Sequence, residues 1–118
     1  MGQIISLLGI LTVLCAVLAS MNALKKYTKH SLIIWLSKRH KIFGGVAVIL
    51  ALTHMVLALV DQSFRLTGLL AIIGILLTGL FGGLFYKLKK KVFYMTHRML
   101  AMTSILLIIV HIILNSRV

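Results

Sequence analysis

HKIFGGVAVILALTH, residues 40–54, and HRMLAMTSILLIIVH, residues 97–111, are two apolar stretches, each opened and closed by a histidine. His40 and His54 stand fourteen residues apart, and so do His97 and His111. On an α-helix that step is about 21 Å of rise and about 1400° of rotation, some 40° short of four full turns. The small under-winding of a left-handed bundle removes most of the remainder, so both histidines of a pair face the same way. A hydrocarbon core is roughly 30 Å thick, which sets one histidine of each pair near one membrane surface and the other most of the way across.

Outward from these stretches the composition is that of a membrane protein. Apolar residues make up 61% of the 118, and a single acid, Asp61, stands against thirteen Lys and Arg. Four apolar runs can be read, at about 4–24, 42–60, 66–86 and 92–114, each near the ~20 residues that cross a bilayer. The expected fold is all-α: one domain over 1–118, a four-helix transmembrane bundle. The spans and their connections use the whole length, and no P-loop or dinucleotide-binding glycine motif occurs. The first run is expected to be a mature helix and not a signal peptide. It lacks a basic leading segment, and Lys25, Lys26 and Lys29 follow it as a stop. Gly2 and Ser6 match the myristoylation pattern by chance, inside a segment that already spans. Cys15, the only cysteine, reads as a small packing residue.

The basic residues set the expected topology. Lys25, Lys26, Lys29, Lys38, Arg39 and Lys41 flank the first connection, and Lys87, Lys89, Lys90, Lys91 and Arg98 the third. Arg65 alone marks the second, and Arg117 alone the C-terminus. The positive-inside rule then places both lysine-rich connections in the cytoplasm and both termini outside. Ser31 to Ser37, with Trp35 at its centre, is too short to span and reads as an interfacial helix on the inner leaflet. The net charge of +12 borders the spans, so it points to anionic lipid or an acidic partner and not to nucleic acid. The expected location is a prokaryotic plasma membrane.

With this topology the second and fourth spans run in parallel, bringing His40 level with His97 and His54 level with His111. The pairs also form an internal repeat, since each first histidine is followed by a basic and two apolar residues, His40-Lys41-Ile42-Phe43 and His97-Arg98-Met99-Leu100. The histidine face of the second span reads His40, Gly44, Ala47, Ala51, His54, Ala58, and that of the fourth His97, Ala101, Ser104, Ile108, His111, Asn115. Small residues there, Gly44 and Ala101 among them, suit a flat macrocycle between diagonal helices of a bundle. The first and third spans carry many small residues too, including Gly9, Gly68, Gly74 and Gly82, and those of the third serve equally for plain helix packing. Four histidines in register, with no carboxylates to pair with, match bis-imidazole ligation of haem iron. The inner iron would take His40 and His97, the outer His54 and His111. Lys41 and Arg98 are candidates for holding propionates. A haem-free zinc or copper carrier is the leading alternative, though such sites usually add carboxylate or thiolate ligands. His30, outside the pattern, reads as solvated or lipid-facing.

The strings around His40–His54 and His97–His111 resemble the ferric reductase-like transmembrane family, whose four-helix core is shared with the NADPH oxidases. The resemblance runs from about Lys38 to Asn115. It implies two stacked, non-covalent b haems and single-electron transfer across the bilayer, from a cytoplasmic flavoprotein or reductase to an acceptor outside. This chain lacks the flavin and nicotinamide domain of the larger members, so an electron-transfer subunit of a membrane oxidoreductase is expected. A small cytochrome b acting on quinol or superoxide by itself is the second possibility.

Overall fold

The computed structural model describes residues 2–116 and is helical almost throughout, with no strand among those residues. α1 is Gly2–Ser20 and runs into a 3-10 turn, Met21–Lys26. α2 is Ser31–Lys38, α3 His40–Val60, α4 Leu66–Leu88 and α5 Lys91–Ser116. Four stretches are long and apolar enough to cross a membrane: Gly2–Lys26, His40–Val60, Leu66–Leu88 and Lys91–Asn115. They coincide with the four runs read from sequence, each reaching one or two residues further at one end or both. Arg117, counted in the charge bias, lies outside the described residues.

The absence of proline and the long runs of Leu, Ile, Val and Ala explain this uniformity, because in hydrocarbon every backbone N–H and C=O must be satisfied within its own segment. Hydroxyl side chains obey the same constraint. Thr12, Thr53, Thr78, Thr96, Thr103 and Ser104 each donate to the carbonyl four residues earlier, at 2.7–2.9 Å, so none competes with the helix for a donor.

The chain divides into two compact units, Met1–Leu57 and Ala58–Val118. In the first, α1 and α3 meet through the histidines described below, and α2 packs on the 3-10 turn and α1. Thr12, Ala19, Leu36, Ala47 and Ala51 are its buried side chains. The imidazole of His30 caps α2: its Nδ1 accepts the Leu32 amide at 3.2 Å. Histidine is not among the favoured caps, and the ring does here what an Asn or Ser oxygen usually does. At the other end of α2, a single non-helical residue, Arg39, separates it from α3. Its guanidinium lies 4.2 Å from the Trp35 ring, and Trp35 contacts Phe43 in turn, a rigid cation–aromatic cluster at the base of α3.

The second unit is a helical hairpin of α4 and α5 with Ala71, Ile72, Gly74, Ser104 and Ile108 buried. Its turn is only Lys89 and Lys90, and Lys89 takes the left-handed conformation (φ 56°) to cap α4, its amide donating to the Phe85 carbonyl at 2.8 Å. Aromatic pairs Phe81–Phe93 and Phe85–Tyr94 close the hairpin below the turn. A left-handed residue with a Cβ is disfavoured by about 1 kcal/mol or more. Lys89→Gly is therefore expected to stabilise the hairpin by about 1 kcal/mol, less the loss of the Lys89 contacts with Phe85 and Tyr86, read as a higher unfolding midpoint in detergent.

Candidate metal-ligand histidines

In the first unit, α3 presents both of its histidines to the backbone of α1. His40 Nδ1 lies 2.8 Å from the Ala19 carbonyl oxygen and His54 Nδ1 2.8 Å from that of Ile5. Ile5 and Ala19 are themselves fourteen residues apart, so two antiparallel helices meet in a constant register at both ends of the step. A carbonyl can only accept. Each imidazole must therefore carry its proton on Nδ1, which fixes the tautomer and makes Nε2 the ligand atom of the ring.

The second unit repeats the device. His97 Nδ1 donates to the Thr78 carbonyl at 2.7 Å, and His111 Nδ1 lies 2.9 Å from the Thr67 hydroxyl oxygen. One turn beyond His111, the Asn115 amide nitrogen stands 3.4 Å from His111 Nε2. All four histidines are half-buried.

A helix carbonyl already receives the amide of the residue four further on, and the side chain at that position covers its flank. At two of the three carbonyls the imidazole reaches, those of Ile5 and Thr78, that side chain is missing. Gly9 follows Ile5 by four and Gly82 follows Thr78 by four; a Cβ on Gly9 would stand 3.2 Å from His54 Cε1, and one on Gly82 only 2.9 Å from His97 Cε1 and Nδ1. Gly68, next to Thr67, gives the same relief to His111, with 3.0 Å to Cε1. Between the two histidines of α5, Ser104 fills the space above Gly74, where a Cβ would lie 2.6 Å from Ser104 Oγ. Thr78 Oγ1 and Ser104 Oγ are 3.2 Å apart, each also bonded to its own helix.

These contacts show what the small residues of α1 and α4 face. Gly9, Gly68 and Gly82 receive imidazole rings, and Gly74 receives a serine, so on α1 and α4 they serve close packing of helix on helix. Gly44 is half-buried with nothing within 4 Å of a Cβ built on it, and Ala101 is also half-buried. Lys41 and Arg98, beside His40 and His97, are exposed, and the Arg98 guanidinium lies 5.7 Å from the Tyr94 ring. His30 is exposed and belongs to the α2 cap. Among the described residues no three His, Cys, Asp or Glu side chains come together.

Fold and composition define an all-helical membrane protein with four candidate spans and two histidine-bearing helix pairs built on one plan. Compared with protein-family models, curated proteins and solved structures, the chain matches none.

Proposed function

We propose that this chain is a di-haem b-type membrane cytochrome that conducts single electrons across the bilayer, a minimal counterpart of the ferric reductase-like core. One observation carries the proposal: all four histidines of the two fourteen-residue steps are held by Nδ1 against the neighbouring helix. A metal-bound imidazole usually has one nitrogen oriented by a protein acceptor, which leaves the other for the metal; at His111 that other nitrogen faces the Asn115 amide at 3.4 Å, a contact the ligand would replace. The residues present thus fit the group. His40 and His97 would hold one haem and His54 and His111 the other, a pairing that follows the repeat in sequence.

Haem closed by two imidazoles supplies reversible one-electron chemistry and leaves no open position for oxygen. The remaining work falls to the chain. The carbonyls of Ile5, Ala19 and Thr78 orient three rings, the Thr67 hydroxyl orients the fourth, and the apolar spans exclude water. Lys41 and Arg98 follow the two inner ligands directly in sequence and would be the cations to meet propionates. The positive-inside rule would put the lysine-rich connections in the cytoplasm and both termini outside, and His40 and His97 would then face the side from which a flavoprotein or reductase donates. α2, with Trp35 and Arg39, would lie on the inner leaflet of a prokaryotic plasma membrane.

Haem-replete expression followed by a pyridine haemochrome assay tests this. About two b haems per chain are expected, released by acidified solvent because the single cysteine cannot form a C-x-x-C-H attachment. A purified protein with no Soret band would defeat the proposal and favour a haem-free metal carrier. A protein with a single haem would defeat the pairing.

A further inference from the structure

The face that α4 turns to α5 is nearly smooth. Gly68, Gly74 and Gly82 lie against His111, Ser104 and His97 in turn, one antiparallel register along the hairpin. Glycines let the helices come close, but a groove without side chains does not resist sliding, and hydrocarbon supplies no hydrophobic force to hold one depth. A slide of one residue is about 1.5 Å, enough to take the His97 ring off the Thr78 carbonyl. Depth has to come from directional bonds.

Thr78 makes two contacts with α5, and they point opposite ways. A helix carbonyl is directed towards the carboxy terminus, whereas a Cα–Cβ bond is tilted towards the amino terminus. The Thr78 carbonyl therefore reaches towards Gly82, where it accepts from His97 Nδ1 at 2.7 Å, and its hydroxyl reaches back towards Gly74, where it meets Ser104 Oγ at 3.2 Å. Moving α5 along α4 opens one of these contacts whichever way it goes. Ser104 is buried, as is one other polar side chain among the described residues, Thr12. The Thr78 and Ser104 hydroxyls have two protons for three contacts, since each also bonds a carbonyl of its own helix at 2.7 Å, Gly74 and Leu100 respectively. One proton is shared, so the link between helices exists only while both hydroxyls are present, and losing either leaves no donor unsatisfied.

We propose that Thr78 is the positioning residue of α5: it grips that helix at Ser104 and His97 together and so sets the depth at which the His97 ring meets its carbonyl. The consequence for haem rests on the assignment above.

Nitrogen-15 NMR of the histidine-labelled full chain in detergent, without haem, reads the His97 ring directly. Thr78→Val and Ser104→Ala should each move the His97 Nδ1 resonance, with no further movement in the double variant, and Thr78→Ser, which keeps the hydroxyl, should hold it at the wild-type position. Thr12→Val is the control, because that hydroxyl is buried too but bonds the Leu8 carbonyl of its own helix; its loss should leave His97 unmoved. Haem titration of the same set reads the consequence. The haem taken up through His97 should bind roughly two- to fivefold more weakly in Thr78→Val and in Ser104→Ala, no weaker in the double variant, and as in the wild type in Thr78→Ser. A His97 resonance indifferent to both hydroxyls, or effects that add in the double variant, would overturn the role of Thr78 and leave the haem assignment standing. A lower unfolding midpoint with the resonance unmoved would do the same. Failure of the wild-type protein to bind haem would instead remove the assignment and its consequence, and the NMR result would still judge the register.

Discussion

His54→Ala and His111→Ala are each expected to remove the same half of the bound haem, and the double variant to remove no more than either alone. His40→Ala and His97→Ala should behave likewise for the other half, whereas combining His40→Ala with His54→Ala should leave none. Non-additivity within a pair and additivity between pairs is the signature of two ligands closing one coordination sphere. Haem content by pyridine haemochrome, with the reduced-minus-oxidised spectrum to tell the two centres apart, reads the pattern. The helices themselves should survive each change. The carbonyls of Ile5 and Thr78 lie inside helices that supply their own amides, and the cost is a net hydrogen bond of about 0.5–1.5 kcal/mol together with the ring's packing against Gly9, Gly68 or Gly82. His30→Ala, which removes the α2 cap and touches neither pair, should retain both haems. A metal carrier predicts otherwise: any one ligand lost would abolish binding of the single ion.

The architecture was legible because hydropathy and length are written in every residue of a span. Four runs and the short Trp35 segment appear as helices at the expected places, with errors only at the ends, where α3 already starts at His40 and α1 continues as a 3-10 turn to Lys26. The partners of the histidines were far less legible. A backbone carbonyl has no letter of its own, and nothing in Ile5, Ala19 or Thr78 as residue types marks them as acceptors. Their trace is indirect, a glycine four residues on, at Gly9 and Gly82. By sequence those glycines suit plain helix packing as well as room for a macrocycle. The same periodicity that puts small residues beside a planar group also puts them beside a histidine ring from the next helix, and only contacts distinguish the two. Lys89 and Gln62, both left-handed at φ 56° and 58°, were invisible for a related reason: helix ends of this kind usually advertise themselves with glycine or asparagine, and here they do not.

The adjacent glycines of α4 give the sharpest test of how the histidines are held, because Gly82 and Gly83 should respond in opposite ways. A Cβ on Gly82 would lie 2.9 Å from both Cε1 and Nδ1 of His97. Separations that short are not tolerated, and the obstructing atoms belong to a rigid ring whose Nδ1 is fixed to the Thr78 carbonyl of the same helix. The ring cannot yield without breaking that bond. A Cβ on Gly83 meets nothing within 4 Å, on an exposed side of the helix. Gly83→Ala should therefore leave haem binding unchanged and, through the better helix propensity of alanine, stabilise α4 by up to about 1 kcal/mol. Gly82→Ala gains the same propensity but must displace His97, and Gly82→Val must displace it further. The haem that depends on His97 should be weakened in the alanine variant and lost in the valine variant, with the other haem retained and the helical circular dichroism preserved. Equal tolerance of alanine at both positions would show that His97 does not need the Thr78 carbonyl, and that the glycine serves only the packing of α4 on α5.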